Sequence, residues 1–186
     1  MKALMNTLKP ALVALLVMTI LCGILYTAAV TGVAQLLFQS KADGSRIMID
    51  QADGTAKEYG SELIGQSFTQ PQYLIGRPMG VSNLSPVCEE QRTLVAERVD
   101  WWHALDPNNT SEIPMELVTT SGSGVDPYLS PEAAAYQVSR IARERKMDEE
   151  TVRALITTYT TGRFLGVLGE PVVHVLKVNL ALDGLL

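Results

Sequence analysis

A glycine- and serine-rich loop, residues 121–124 with the sequence SGSG, is the part of this chain whose residue types best suit binding chemistry. An apolar stretch precedes the loop, and a stretch that favours a helix follows it from Ser130 onwards. This order is typical of loops that hold a phosphate at a helix N-terminus, because the first amides of a helix lack partners and attract anions. One hypothesis is therefore a nucleotide-associated site formed by Ser121, Gly122, Ser123 and Gly124.

A structural interpretation of the same loop competes with the phosphate hypothesis. The glycines can make a tight connection between elements, and the Asp-Pro pair at 126–127 favours a turn. Ser130 followed by Pro131 is typical of a helix N-terminus. Asp126 and Glu132 would place negative charge where a phosphate must lie, which disfavours the bound anion. The residues therefore favour the structural interpretation.

The distribution of charge argues against a nucleic-acid partner. Lys2, Lys9 and Lys41 are the charged residues that precede residue 42, so residues 42–186 contain 12 basic and 20 acidic residues and are net acidic. Nucleic-acid binding requires clustered Lys and Arg that displace counterions from phosphates. We therefore expect no nucleic-acid partner.

The cysteines and histidines do not form a metal-binding pattern. Cys22 lies in the apolar N-terminal run and Cys88 in the polar part, and neither His103 nor His174 has a second ligand at helical or turn spacing. His174 falls on the apolar face of a predicted strand, where a histidine with one satisfied hydrogen bond is more common than a ligand or a base. We predict no metal site, no catalytic residue and no cofactor bound by this chain.

The N-terminal region predicts a membrane anchor. No Asp, Glu, Lys or Arg occurs from Pro10 to Ser40, and about 20 apolar residues suffice to cross a bilayer as a helix. A cleaved signal peptide is the alternative, but its apolar region would be about 7 to 15 residues long. We predict a retained transmembrane helix over 11–38. Its representative anchor positions are Ala11, Leu15, Leu21, Leu25 and Val30.

The basic residues near the anchor leave the orientation close to a tie, because Lys2 and Lys9 precede the span while Lys41 and Arg46 follow it. Large following domains translocate largely regardless of charge, and a short basic N-terminus usually stays in the cytoplasm. We therefore predict a cytoplasmic N-terminus over 1–10 and an extracytoplasmic domain over 39–186.

The remaining residues predict a single small α+β domain. Leu94, Val95 and Val99 share a helical face with other apolar residues of 89–105. Alternation of apolar residues predicts a strand over 172–182 that could become helical after Asn179. The other predicted elements are two short strands flanking an Ala-Asp-Gly turn at 52–54, irregular chain before residue 89, a strand over 113–119, and helices from Ser130 to Arg145 and from Asp148.

Three strings together resemble one family: GRP at 76–78, LVTTSGSGVDPYLSPEAAAYQVSRIARER at 117–145, and GEPVVHVLKVNLALD at 169–183. With one N-terminal span and this length, the chain resembles the KdpC family, the C subunits of the Kdp potassium-transporting ATPase, over essentially its whole length. The central string is the specific one. Met79 stands where the family tends to have Ser, and His174 stands where Asn is usual.

The resemblance implies a non-catalytic subunit of an inner-membrane complex that takes up potassium at the expense of ATP. Its implied partners are a channel-like potassium-binding subunit, a P-type ATPase subunit and a very small fourth subunit. The C subunit is thought to stabilise the complex and to act as a catalytic chaperone that raises the ATP affinity of the ATPase subunit, so ATP and K⁺ act on the complex. In that hypothesis Gln137 reaches towards the nucleotide. The chain itself has neither a GxxxxGK[ST] loop nor a DKTGT-type phosphorylation motif.

Two alternatives of other classes stay open. An anchored hydrolase could use Ser121 or Ser123 with His174, although neither serine lies in a GxSxG motif. A free-standing anchored binding module is the other alternative. Such a module would be stable without partners, whereas a subunit of a complex should not be.

Overall fold

The N-terminal unit of the computed structural model is almost entirely helical. The structure describes residues 2–51 and 53–186, with the backbone alone for 2–4, and the chain divides into two compact units between Arg46 and Ile47. The first unit contains α1 (Lys2–Met18), a π-helical stretch (Thr19–Tyr26), α2 (Thr27–Leu37) and the short α3 (Gln39–Ala42). It matches the prediction of a long apolar helix before an α+β domain.

One helical run of this unit, Met5–Leu37, is long and apolar enough to cross a membrane. It contains 33 residues, its most apolar 18-residue window has a mean hydropathy of 2.4, and none of that window is buried by the rest of the chain. At the rise of an α-helix these 33 residues would span roughly 50 Å, more than the roughly 30 Å of a hydrocarbon core. Phe38 ends the run with non-helical dihedrals (φ −141°, ψ 43°). The predicted anchor positions all lie in this run and are exposed; their contact with lipid stays a prediction.

The second unit begins with a two-stranded sheet of β1 (Arg46–Asp50) and β2 (Ala56–Ser61). The turn between the strands is closed by Gln51 N, which donates to Thr55 O at 2.7 Å, and by Asp53, whose carboxylate accepts from Thr55 N at 2.9 Å. Gly54 has a φ of 80°, a conformation that glycine adopts without steric cost. The predicted pair of strands is confirmed; Ala52, within the predicted turn, lies outside the described residues.

The second unit also contains a three-stranded antiparallel sheet and, between residues 89 and 158, four α-helices. The strand order is β3 (Tyr128–Leu129), β5 (Val172–His174), β4 (Thr160–Thr161), and Tyr128 pairs with His174 while Thr160 pairs with Val173. The helices are α4 (Glu89–Leu105), α5 (Pro131–Tyr136), α6 (Val138–Arg145) and α7 (Glu149–Thr158).

The predicted helices are confirmed where caps and periodicity agree. The α4 helix has the predicted bounds, and α7 begins directly after Asp148, whose carboxylate caps Glu150 N. The predicted helix from Ser130 to Arg145 is present but is divided at Gln137 (φ −95°, ψ −8°) into α5 and α6. The segment from residue 62 to 88 contains no regular helix or strand, as its glycine and proline content predicts.

One predicted strand is wrong and another is too long. Residues 113–119 form a 3₁₀ turn (Met115–Leu117), and the predicted strand over 172–182 ends at His174, where α8 (Val175–Leu182) begins. The α8 helix is buried on two sides, because Val175, Val178 and Leu182 join the main core while Leu176 and Leu180 pack against the hairpin of β1 and β2. Burial on two sides places apolar residues at both helical and alternating positions, so the pattern resembles a strand.

The main core lies between α4 to α8 and the three-stranded sheet. Trp102 is its largest buried side chain and contacts Tyr136 edge-to-face, with ring centroids 5.8 Å apart. The other fully buried apolar residues come from the sheet, the helices and the irregular segment before α4. They include Leu74, Leu117, Leu129, Ile141, Val152 and Val173.

Candidate functional site

The SGSG loop is held together mainly by its own hydrogen bonds. Gly124 N donates to Ser121 O at 3.1 Å, Val125 N donates to Ser123 Oγ at 3.3 Å, and Asp126 N donates to Ser121 Oγ at 3.4 Å. Of the amides at 121–124 that the phosphate hypothesis requires, that of Gly124 is engaged within the loop. The amides of Val125 and Asp126, which would extend such a cradle, are engaged as well.

Gly124 has a structural reason to be glycine. Its φ is 71°, and a Cβ at this position would lie 2.6 Å from the carbonyl carbon of Gly80. The two backbones also pair directly, because Gly80 N donates to Gly124 O at 2.8 Å. By contrast, a Cβ on Gly122 would meet nothing within 4 Å. The loop thus uses one glycine for close backbone packing and leaves the other exposed.

The helix that follows the loop already has a carboxylate at its N-terminus. Ser130 Oγ accepts from Ala133 N at 3.1 Å and caps α5, as the sequence predicts. The carboxylate of Glu116 accepts both from Ser130 N, at 3.0 Å, and from the Ser130 hydroxyl. A phosphate at this helix start would therefore lie next to a carboxylate that holds the same donors, which is electrostatically unfavourable.

Gln137, the residue expected to reach a nucleotide, lies in the core with 1% of its surface exposed. Its Oε1 accepts from Ile75 N at 2.9 Å, and its Nε2 donates to Ile75 O at 2.9 Å. It also contacts Arg140 Nη2 and Ala133 O. Each polar atom of the amide is thus engaged inside the protein, away from the exposed Gly122 and Ser123.

Asn179 makes the same pair of hydrogen bonds with Leu74, the residue directly before Ile75. Its Oδ1 accepts from Leu74 N at 2.8 Å and its Nδ2 donates to Leu74 O at 2.9 Å. Two buried amide side chains therefore take the place of a neighbouring strand for Leu74 and Ile75. We call residues 71–75, which have no helix or strand of their own, the clamped segment.

Two arginines complete the clamped segment. Arg140 is fully buried, and its Nη1 donates to Pro71 O and Tyr73 O. Arg145 Nε donates to Gln72 O at 2.7 Å. Burial lowers the pKa of the Arg140 guanidinium to about 10, against the opposing effect of Asp106, so the group stays protonated at neutral pH. Sequence reasoning missed these roles, because the partners lie 62 to 105 residues apart and no local pattern marks them.

His174 acts as a capping residue between β5 and α8. Its Nδ1 accepts from Lys177 N at 3.4 Å, and its Nε2 accordingly carries the proton and donates to Glu62 O at 3.1 Å. The ring packs edge-to-face against Tyr128. Burial, followed by the positive charge of Lys177, lowers the pKa of His174 below its ordinary value. Both ring nitrogens are engaged, and neither contacts Ser121 or Ser123, so the geometry gives no support to the hydrolase alternative.

Metal-binding groups do not gather in the part of the chain that the structure describes. Within residues 2–51 and 53–186, no group of three or more His, Cys, Asp or Glu side chains could hold a metal ion. Cys22 and Cys88 are both free thiols. The described residues therefore offer no metal centre to set against the loop.

Comparison with known proteins gives one family over nearly the whole chain. The KdpC profile, described as K⁺-transporting ATPase, c chain, matches residues 8–184. A potassium-transporting ATPase KdpC subunit of Listeria welshimeri is 52% identical over 188 residues, covering 100% of this chain and 99% of its own length. The namesake subunit of Clostridium perfringens is 47% identical over 201 residues, covering 98% and 99%. That of Polaromonas naphthalenivorans is 47% identical over 192 residues, covering 97% and 95%. The chain belongs to the KdpC family, the C subunits of the potassium-transporting ATPase.

Proposed function

We propose that this chain is the non-catalytic accessory subunit of a high-affinity, ATP-driven potassium uptake pump. It stabilises the assembly and acts as a catalytic chaperone that raises the affinity of the ATPase subunit for ATP. Its partners are a channel-like potassium-binding subunit, the P-type ATPase subunit that carries out catalysis, and a very small fourth subunit. ATP and K⁺ act on the complex, and no cofactor belongs to this chain alone.

An exposed apolar hairpin is the observation that favours a subunit of a complex over a free-standing binding module. Residues 163–170, which we call the apolar hairpin, turn back on themselves with reciprocal bonds between Phe164 and Leu168, at 2.8 and 3.0 Å. Leu165 and Val167 at the tip are 79% and 72% exposed. Soluble monomers rarely expose contiguous apolar surface, and such patches mark contacts with other chains. The hairpin therefore fits a surface that another chain covers.

The proposed effect on ATP affinity does not require a contact with nucleotide. A subunit that binds one conformation of a pump more tightly than another shifts their populations, and by linkage it changes the affinity of that pump for its ligand. A direct contact through Ser121, Ser123 and Gln137 is the second version of the proposal. It is weakened by the hydrogen bonds that already occupy the Gly124 amide and the Gln137 side chain. We therefore favour transmission through contacts between subunits.

The proposed location is the bacterial inner membrane, with residues 1–10 in the cytoplasm and 39–186 outside. In a chain lacking Cys22 and Cys88, an impermeant thiol reagent added to intact cells should label a cysteine that replaces Val87, which is 72% exposed. It should not label a cysteine that replaces Met5. The reverse labelling pattern would invert the proposed topology.

The central experiment compares the hairpin with a matched apolar surface residue. The double variant Leu165→Ser, Val167→Ser and the control Val87→Ser are each expressed with the other pump subunits, and the tagged chain is purified in mild detergent. We expect the hairpin variant to lose co-purifying subunits and to require more ATP for half-maximal potassium-stimulated ATPase activity. The control should match wild type. A wild-type chain that purifies alone from cells that express the pump would overturn the proposal.

A further inference from the structure

A cleft beside α4 combines two arginines with an aromatic wall. Its volume is about 180 Å³, and it lies between the irregular chain at 66–79 and the face of α4 that carries Arg98 and Trp101. Phe68 and Met79 form much of its apolar lining. The volume is well below the roughly 300 to 1,000 Å³ of sites for drug-sized ligands. The cleft therefore suits a single side chain or a compact ion, and a nucleotide is too large for it.

The two guanidinium groups of the cleft are held in place from one side. Arg98 Nη1 donates to Val118 O at 2.8 Å, and Arg77 Nη2 donates to Thr120 O at 3.1 Å. These carbonyls are two residues apart on the same short segment, and both arginines line the same cleft. A guanidinium carries five N–H donors. Each of these arginines donates one hydrogen bond to the described residues, which leaves its other N–H groups for a ligand.

Neither cation of the cleft has a negative partner within the described residues. The ion pairs there do not include Arg77 or Arg98. Moreover, Arg77 Nε is buried and has no hydrogen-bond acceptor among the described residues. Four other arginines of the same unit each contact a carboxylate: Arg143, Arg145, Arg153 and Arg163. The cleft is thus a place where two fixed positive charges lie together without a carboxylate.

We propose that this cleft receives the carboxylate of an Asp or Glu side chain presented by another chain of the pump. A carboxylate matches the fork of a guanidinium, and the aromatic wall can pack against the methylenes of the acid. Arg and Trp are also the residue types that dominate binding energy at protein interfaces. The inference rests on the proposed function, since it names a contact within the same assembly.

The overall charge favours a carboxylate held by a protein over a free anion. Residues 42–186 contain 12 basic and 20 acidic residues, so the long-range field of this unit repels anions that diffuse in from solution. A carboxylate on a partner subunit is brought to the cleft by the rest of the interface and does not depend on that field. Trp101 and Met79 are each 39% exposed, which leaves the apolar wall accessible to such a partner.

The test reverses the charge of one arginine within the assembled complex. Arg98→Glu and the control Arg92→Glu, an exposed residue of the same helix, are co-expressed with the other subunits and purified at 150 mM salt, about physiological ionic strength. We expect at least a tenfold loss of co-purifying subunits for Arg98→Glu and no loss for Arg92→Glu. Full retention of the complex by Arg98→Glu overturns the proposal. Failure of the wild-type chain to co-purify contradicts the proposed function instead.

Two further measurements keep the test decisive if Arg98→Glu unfolds. Arg98→Gln removes the charge but keeps a polar side chain with N–H donors, and it should also weaken retention while keeping the thermal transition of the wild type. A photoreactive residue in place of Met79 should cross-link to a peptide that contains an Asp or Glu of another subunit, and Lys at that acid should restore retention of Arg98→Glu. Cross-linking to lipid alone overturns the proposal. A second pair of results also overturns the proposal: inorganic phosphate raises the melting temperature of the wild type but not that of Arg98→Gln, and Arg98→Gln retains the other subunits fully. Together these results would assign the cleft to a free anion.

Discussion

The clamped segment and the apolar hairpin show opposite relations between regular structure and burial. Residues 71–75 have no helix or strand, yet Leu74 and Ile75 are buried and the backbone groups of both are bonded by amide side chains. Residues 163–170 contain an antiparallel β-bridge between Phe164 and Leu168, yet Leu165 and Val167 are largely exposed. Regularity therefore does not indicate which part stabilises the unit. Burial of bonded polar groups identifies the first segment as structural, and exposed apolar surface fits the second as a contact.

The largest effect on stability is expected from replacing Asn179, one of the two buried amide side chains that bond the clamped segment. In Asn179→Leu, a side chain of similar size leaves the N–H and C=O of Leu74 buried without partners, which should lower the free energy of unfolding by about 2–5 kcal/mol. Urea unfolding of the full chain in detergent, followed by the fluorescence of Trp101 and Trp102, measures this change. The exposed Asn108→Leu should be nearly neutral. A loss for Asn179→Leu no greater than that of the control would break the comparison.

Gly124→Ala should give the second-largest effect. The new Cβ would meet the backbone of Gly80 at 2.6 Å in a residue with a φ of 71°, so we expect a loss of about 1–3 kcal/mol in the same assay. Gly122→Ala is the matched control in the same loop and should change stability little, because its Cβ meets nothing. If the two variants were equally stable, the loop would lack the structural role assigned to Gly124.

The pH dependence of stability should contain a contribution from His174. Its pKa is lowered in the folded state, so the unfolded chain binds the proton more tightly. This contribution is fully present above the unfolded pKa of about 6.5 and is lost as pH falls below it towards the folded pKa. His174→Asn, which can still accept from Lys177 N, should flatten the decline in melting temperature over that window. An unchanged pH profile would show that His174 does not contribute to the pH dependence of stability.

The hairpin should give the smallest effect on folding. Val167→Ser replaces an exposed side chain, and its free energy of unfolding should stay within about 0.5 kcal/mol of wild type. The same variant should nevertheless reduce the amount of partner subunits that co-purify. A large loss of stability would show that the hairpin is part of the core, and the contrast with the clamped segment would fail.

Local signals allowed part of the fold to be predicted. The α4 helix was predicted at its observed bounds because one apolar face spans it, and α5 and α7 were located by Ser130 and Asp148 as caps. The strand predicted from residue 172 is confirmed at 172–174, but its change to helix was predicted only after Asn179. The strand was overextended because α8 is buried on two sides, which makes its apolar residues fit two periodicities. The strand predicted over 113–119 failed because the segment forms a 3₁₀ turn whose carbonyls are bonded by distant side chains.

The candidate sites were less accessible from sequence than the fold. The SGSG pattern identified a loop correctly, but whether its amides are available to a ligand depends on hydrogen bonds made within the folded loop. Gln137 was singled out, and its position in the core depends on Ile75, 62 residues earlier in the chain. The pairing of Arg77 with Arg98 is likewise set by tertiary structure, since no spacing in sequence places both on one cleft.

The contact between Asn179 and Leu74 also bears on the order in which the second unit folds. Asn179 meets Leu74 only after a loop of 105 residues has closed, and the entropy of closing a loop opposes each such contact until the rest of the core offsets it. Contacts between residues so far apart in sequence are characteristic of slow folding. The N–H and C=O of Leu74 therefore remain bonded to water until α8 docks, and we expect the docking of α8 to be a late step in folding. Detachment of α8 would in turn free the backbone of Leu74, so we expect unfolding to begin at α8 and at Leu74 together.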